Sequence, residues 1–233
     1  MSSTPAVSTA QTADALGAQP EAPKDCPLCP RLVAFRKANQ TTHPNWFNGA
    51  VPSFIPHDGE RSVKLLIIGL APGLQGANKT GRPFTGDYAG DLLYSTLTHF
   101  GLANNRYAAR ADDGFALRNT MITNAIRCVP PENKPTGAEA NACRPFLVSR
   151  LESLPSLKVM ICLGKISHDN TLRALGLKLS AHRFGHGTEY EVEGPNGPLT
   201  LLSSYHCSRY NTNTGRLTEE MFHDVFERTM ELL

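Results

Sequence analysis

The chain has 233 residues, of which 40% are apolar and 19% charged, and its formal net charge is +2, a composition typical of a globular protein. No stretch approaches the roughly 18 consecutive apolar residues of a membrane span, and the N-terminus lacks the basic start and apolar segment of a secretory signal. We therefore expect a soluble, cytoplasmic protein that does not enter a membrane. The small net charge neither requires nor excludes nucleic acid, because phosphate binding needs only a local basic cluster.

The first part of the chain differs in composition from the rest. Residues 1–24 are rich in Ala, Ser, Thr, Pro and Gln and contain no aromatic side chain. Such a segment cannot bury enough apolar surface to offset the entropy lost on ordering. We predict a flexible tail over residues 1–24 and a single domain over residues 25–233.

Apolar runs and helical patterns alternate along the domain. Short, uninterrupted apolar runs are typical of parallel strands that are covered on both faces. The predicted strands are Leu65–Ile68, Met121–Ala125, Val159–Gly164 and Leu199–Ser204. The predicted helices are a short one after Cys26 that reaches about Lys37, followed by Ala89–Leu102, Thr136–Leu151 and Leu217–Leu232. Thr41–Gly59 is predicted to be a proline-interrupted loop. This alternation predicts an α/β fold, a three-layer αβα arrangement with a central, mainly parallel four-stranded sheet.

Polar and glycine-rich segments follow three of these strands. The Gly69–Asp87 segment follows the first strand, Asn124 lies at the end of the second, and Tyr205–Arg209 follows the fourth. Ligands of such sheets bind at the carboxyl ends of the strands, so these segments are expected to converge on one cleft. Taken alone, Asp87 also fits a helix N-cap, and Asn124 and His206 also fit structural roles.

Six cysteines are too few for a disulfide scaffold in a chain of this length. Cys26 and Cys29 form a C-x-x-C pair, and Cys128 and Cys143 follow with fourteen residues between them. Four thiolates can close a metal site, but this spacing alone does not distinguish zinc from an iron-sulfur cluster or from unliganded cysteines.

Two further motifs are weak. The segment Gly73–Thr80 differs by one residue from a phosphate-binding G-x-x-x-x-G-K-T loop, because Asn78 replaces its second glycine. The following Gly81–Pro83 cannot continue the helix that such a loop requires. Cys207 beside His206 is not expected to form a nucleophile and base pair, because neighbours in an extended chain point to opposite sides.

Three long motifs in order carry a family likeness. They are Gly69–Gly73 with Asn78–Asp87, then Thr123–Pro135, then Ser204–Thr218. They resemble the uracil-DNA glycosylase superfamily, specifically its type 5 (B-type) branch, and the likeness extends from about Cys26 to the end of the chain. The resemblance implies a monomeric base-excision-repair enzyme that hydrolyses the N-glycosidic bond of uracil, and of other deaminated or modified bases, in single- or double-stranded DNA. The alternative is a non-catalytic module of the same fold that binds damaged DNA.

The resemblance also implies roles for individual residues. The catalytic residues would be Asp87, Asn124 and His206. The extruded base would be bound by Gly69, Ala71, Pro72, Gly73 and Phe84. The DNA strand would be bound by Ser208, Arg209, Tyr210 and Asn211. A [4Fe-4S] cluster that supports the fold would be held by Cys26, Cys29, Cys128 and Cys143. One departure is Cys207, where the family usually has proline, so this turn lacks proline's fixed φ and its rigidity and grip on DNA are in question.

Overall fold

A computed structural model of the chain describes residues 18–233. Its strands are β1 (Leu65–Gly69), β2 (Ala103–Asn104), β3 (Ala116–Leu117), β4 (Thr120–Asn124), β5 (Val159–Leu163), β6 (Glu189–Gly194) and β7 (Gly197–Ser204). Its α-helices are α1 (Pro30–Thr42), α2 (Ala77–Thr80), α3 (Tyr88–His99), α4 (Gly137–Glu152), α5 (Lys165–Ala174), α6 (Arg209–Asn213) and α7 (Glu219–Leu232).

The central sheet has five strands in the order β4-β1-β5-β7-β6. The first four are parallel and correspond to the four predicted strands, whereas β6 pairs antiparallel with β7. The predicted strand number is therefore wrong by one. In β6, charged residues alternate with others and only Val192 is buried, so this edge strand has no apolar run.

Helices cover both faces of the sheet, which confirms the three-layer arrangement. Leu65 and Ile67 of β1 pack in a core with residues of α3 and α7, whereas Leu66 and Ile68 pack in a second core with residues of α4 and α5. All four side chains are fully buried, because successive side chains of a strand point to opposite faces. This double burial explains why β1 is apolar throughout.

Local signals set where the helices begin. Asp87 is the N-cap of α3, and Thr136 and Glu139 form a capping box at the start of α4. The first helix lies after Cys26, as predicted, and begins at Pro30, since proline is favoured in the first helical turn. Helix α5 is not predicted by the sequence analysis, because most of its buried residues are polar.

The end of the predicted flexible tail is packed against the domain. The Glu21 carboxylate forms ion pairs with two buried guanidinium groups, those of Arg127 and Arg150, and the Pro20 carbonyl accepts a hydrogen bond from Arg127 Nη2 at 3.0 Å. Ala22 is buried in a third core cluster with α1. Residues 20–22 of the predicted tail thus contact the domain, through groups whose partners lie far away in the sequence. Residues 1–17 lie outside the described part of the chain.

Candidate active site

A cavity of about 590 Å³ opens at the carboxyl edge of the sheet. Three of its walls come from the segments that follow β1, β4 and β7, as predicted. Among the predicted site residues, the cavity is lined by Ala71, Pro72, Gly73, Phe84, Asp87, Asn124, His206, Ser208 and Arg209. Gly69, Tyr210 and Asn211 do not line it. The three predicted catalytic side chains are therefore brought together from positions distant in sequence.

Gly69 lies behind the cavity wall and determines how closely two lining side chains can approach. A Cβ on Gly69 would collide with Asn124 Oδ1 and would lie 2.7 Å from Phe84 Cζ. Asn124 and Phe84 are 3% and 6% exposed, so both occupy fixed positions in a crowded layer. Glycine at this position allows an aromatic face and an amide to stand side by side at the end of β1 and β4.

The Asp87 carboxylate serves as a helix cap and also faces the cavity. Its Oδ1 accepts a hydrogen bond from the Gly90 backbone N–H at 3.2 Å, while Oδ2 lies against Gly76 and 3.2 Å from the position of a Cβ on Gly73. Burial raises the pKa of this carboxyl above its ordinary value, and the nearby Asp91 raises it further, although the Gly90 hydrogen bond acts in the opposite direction. Asp87 thus caps α3 through Oδ1 and also lies in the lining of the cavity.

His206 lies next to Phe84 in the lining of the cavity. The two rings are 5.9 Å apart between centroids and 26° from parallel. Burial lowers the pKa of His206 to about 4, because a charged imidazolium loses hydration there. The ring is consequently neutral at physiological pH and can offer an N–H donor without carrying a charge.

The loop after His206 forms the rim of the cavity. Ser208 caps the short helix α6 by accepting a hydrogen bond from Asn211 N at 3.4 Å, and Asn211 Nδ2 donates to the His206 carbonyl at 2.8 Å. The Arg209 guanidinium lies 5.3 Å from the ring centroid of Tyr88. Tyr210 is 72% exposed, the largest value among the exposed large apolar side chains of the described residues.

Besides Gly86 and the apolar Leu70, Ala77 and Ala89, three lining residues with polar or aromatic side chains have no role in the sequence analysis. They are Gln75, Tyr88 and Asn133. Asn133 has a left-handed backbone with φ 57°, in a turn within the second motif. Asparagine tolerates this conformation better than most residues, so Asn133 after Pro130–Glu132 could have predicted a turn. Nothing in the sequence indicates that this turn lines the cavity.

Cys207 points away from the cavity, as predicted for a neighbour of His206. Its side chain is fully buried, and its Sγ donates a hydrogen bond to the Ala89 carbonyl at 3.4 Å, in the first turn of α3. Burial, with the negative charge of Asp87 nearby, raises the pKa of this thiol well above its ordinary value. This buried thiol is therefore unsuited to nucleophilic attack.

The segment that resembles a phosphate-binding loop does not form one. Helix α2 has only four residues and ends at Gly81, which adopts a left-handed conformation with φ 80°. Arg82 and Pro83 follow Gly81, and the helix does not continue through them, as predicted. The segment contributes instead to the cavity wall through Gly73 and Ala77.

The four predicted cluster cysteines line one small pocket. They are contributed by the segment before α1, the segment after β4 and helix α4. Burial raises the pKa of Cys29 and Cys128 to about 11 and that of Cys143 to about 12. One of these sulfur atoms also accepts a backbone hydrogen bond, since Arg127 N donates to Cys143 Sγ at 3.3 Å. Such N–H groups stabilise bound thiolates, so the donor set fits a thiolate-ligated group.

A site for a single metal ion requires several ligand side chains grouped around one point. Within residues 18–233, no three His, Cys, Asp or Glu side chains are grouped so that they could hold a metal ion. The four cysteines therefore share a pocket without forming a preassembled site for a single ion.

Comparison with known proteins defines the class of this chain. The family profile of the Uracil DNA glycosylase superfamily matches residues 56–229, and the chain belongs to this superfamily. Among curated relatives, a type-5 uracil-DNA glycosylase of Thermus thermophilus is 43% identical over 213 residues, which are 89% of this chain and 93% of that protein. Type-5 uracil-DNA glycosylases of Pyrobaculum aerophilum and Mycobacterium bovis are 35% identical over 206 residues and 37% identical over 215 residues. They cover 88% and 89% of this chain, and 87% and 78% of their own lengths.

In the part of the chain that the structure covers, no helix combines the length and the apolar character needed to cross a bilayer.

Proposed function

We propose that this protein is a uracil-DNA glycosylase, which hydrolyses the N-glycosidic bond between uracil and deoxyribose in DNA and leaves an abasic site. The observation that carries the proposal is the convergence of Asp87, Asn124 and His206 on one cavity, opposite the ring of Phe84. The type-5 uracil-DNA glycosylases to which the chain is similar support the same reaction.

The base would be recognised by Phe84 and Asn124, which lie beside Gly69. A base within a duplex hides its glycosidic bond, so the nucleotide must be extruded at a cost of a few kcal/mol, which is lowest where pairing is already faulty. The Phe84 face would stack on the extruded base. The Asn124 amide, which can both donate and accept, would bind the O4 and N3–H edge of uracil.

The chemistry follows from the charges that bond cleavage creates. Positive charge builds on the sugar and negative charge on the departing base, and preorganised groups of opposite charge stabilise each. The ionised Asp87 carboxylate would stabilise the sugar cation and orient or deprotonate the attacking water. The neutral His206 ring would donate to the base oxygen. Because a uracil anion is a stable leaving group, a second carboxylic acid is not needed to protonate it.

The rim would bind the DNA strand. The Arg209 guanidinium and the backbone around Ser208 can bind phosphates, and Tyr210 is exposed where a side chain could enter the gap left by the extruded base. We expect Tyr210→Ala to slow excision from duplex DNA more than from single-stranded DNA. An unchanged ratio of the two rates would refute the wedge role of Tyr210.

The pocket beside α1 would hold a [4Fe-4S] cluster through Cys26, Cys29, Cys128 and Cys143. Such a cluster, when bound, supports structure rather than the glycosidic reaction. Cys26 and Cys29 precede α1 while Cys128 and Cys143 belong to the main domain, so these four ligands would tie the two regions together. Iron and sulfide analysis with a visible absorption spectrum tests this assignment. A colourless protein with stoichiometric zinc would contradict it.

The range of bases is a further part of the proposal. The cavity of about 590 Å³ is larger than a pyrimidine requires and supports excision of hydroxymethyluracil, hypoxanthine and ethenocytosine as well. A panel of oligonucleotides carrying one modified base each, assayed under single-turnover conditions, measures this range directly.

The decisive experiment uses an oligonucleotide with one uracil, followed by alkali, which cleaves the strand at an abasic site. We expect cleavage with the parent protein and a rate at least about a hundredfold lower with Asp87→Asn, with little loss of DNA binding. Asp112→Asn is a matched control, because this exposed aspartate pairs only with Arg110 among the described residues. If the parent binds uracil-containing DNA without forming abasic sites, the protein is instead a binding module.

A further inference from the structure

The turn that carries Phe84 and Asp87 is held from behind by the loop between β2 and β3. This turn, residues 82–87, contributes both side chains to the cavity. Phe84 has a left-handed backbone with φ 52°, which is uncommon for a bulky residue, and Gly86 has φ 89°. A turn of this kind persists only where its surroundings hold it.

The first contact behind the turn is the hydroxyl of Tyr107. It accepts a hydrogen bond from Gly86 N at 3.2 Å and donates one to the Phe84 carbonyl at 3.3 Å, so it bridges the backbone of both left-handed residues. Helix α3 begins so close to this bridge that a Cβ on Gly90 would lie 2.7 Å from the Tyr107 hydroxyl. The ring of Tyr107 packs on that of Tyr94 with 4.4 Å between centroids.

The second contact is an ion pair between the two segments. Arg82 Nη1 and Nη2 donate to the two carboxylate oxygens of Asp113 at 2.8 and 2.9 Å, and Arg82 Nε donates to Thr85 Oγ1 at 2.8 Å. The carboxylate also accepts from Ala108 N and Phe115 N, at 2.9 and 3.0 Å. The side chains of Arg82 and Asp113 are 6% and 2% exposed, so this pair is sheltered from water.

We infer that Tyr107 and Asp113 are positioning residues of the active site: they hold the 82–87 turn so that Phe84 and Asp87 face the cavity together. Neither side chain lines the cavity, so both act through the turn and not on the DNA. The inference rests on the proposed glycosylase function. Displacement of reacting groups by about 1 Å can cost a hundredfold in rate, so small shifts of this turn should be measurable.

The test compares Tyr107→Phe with Tyr190→Phe. Both substitutions remove one hydroxyl, but the Tyr190 hydroxyl donates to the Arg183 carbonyl, away from the turn. We measure the single-turnover excision rate on a uracil oligonucleotide, the dissociation constant for the same DNA and the thermal unfolding midpoint. We expect Tyr107→Phe to lower the rate at least about tenfold with a dissociation constant within about twofold of the parent, and Tyr190→Phe to leave both unchanged.

Asp113→Asn is the second variant, because an amide of equal size keeps the space filled but cannot accept both Arg82 hydrogen bonds. We expect the same loss of rate at temperatures where the variant is folded. Rates within about twofold of the parent for both folded variants would overturn the inference while leaving the proposed function intact. A parent protein that forms no abasic sites would instead remove the proposed function, so the two failures are distinguishable.

Discussion

Replacing Gly69 with alanine should impair the site although every proposed catalytic side chain is kept. The new Cβ would collide with Asn124 Oδ1 and lie 2.7 Å from Phe84 Cζ and 2.8 Å from its Cε2. Ordinary van der Waals contact begins at 3.4 Å, so the ring must retreat by about 0.7 Å and the amide must also move. Both side chains are buried, and the shift would therefore pass into the core or into the cavity.

Two consequences of Gly69→Ala can be measured. Overpacking of this kind costs about 1 to 3 kcal/mol of unfolding free energy, which a urea titration reports. A displacement of this size at two groups that bind the base should lower the single-turnover rate of uracil excision by about tenfold to a hundredfold. DNA affinity should change little, because the crowded neighbours of Gly69 are Asn124 and Phe84 and not the rim residues that would bind phosphates.

Gly137→Ala is the matched control, because a Cβ at Gly137 meets nothing within 4 Å. It should leave both stability and excision close to those of the parent. An excision rate for Gly69→Ala equal to that of Gly137→Ala would refute the argument that the crowded wall fixes Phe84 and Asn124.

Three further outcomes are expected. The excision rate should fall on acidification with a midpoint above the pKa of an exposed aspartate, about 3.9, because burial raises the pKa of Asp87. The rate should stay constant between about pH 6 and 8, because His206 remains neutral over this range. A rate that declines from pH 6 to 8 would mean that a protonated His206 is required. Glu21→Gln should lower the unfolding free energy by about 3 kcal/mol, because it leaves the buried Arg127 guanidinium without an ion-pair partner among the described residues, whereas Arg150 keeps its ion pair with Glu60. Glu132→Gln, at an exposed pair, should not lower it, and equal urea midpoints for the two variants would contradict this. Alkylation with iodoacetamide followed by mass spectrometry should modify Cys207 only after unfolding, because the thiol is buried and its pKa is raised; rapid modification of the native protein would argue for an open loop.

The four parallel strands were predictable because each is covered on both faces and therefore has buried apolar side chains at successive positions. Strand β6 was not predicted, since an edge strand needs only one buried side chain, here Val192, and its remaining residues are mostly exposed. Helix α5 was not predicted for a related reason. Its buried Ser167, His168 and Thr171 are polar side chains that form hydrogen bonds, so they give no apolar pattern.

The candidate site followed from one topological rule. Side chains just beyond parallel strands meet at the carboxyl edge, so the proximity of Asp87, Asn124 and His206 could be expected. The contacts that hold them could not, because the Tyr107 bridge depends on the path of a loop that has no periodic pattern. The Glu21 ion pairs were equally hidden, since nothing local in the sequence relates that carboxylate to Arg150.

The packing of Glu21 has a consequence for the order in which the protein is assembled. Glu21 is among the first described residues to leave the ribosome, yet its partner Arg150 follows 129 positions later. Contacts between such distant positions form late, because the entropy of closing a long loop must be lost before the contact can stabilise the fold. During synthesis, the Glu21–Arg150 ion pair must wait for helix α4, and proteolytic trimming past residue 21 would leave the buried Arg127 guanidinium without its ion-pair partner.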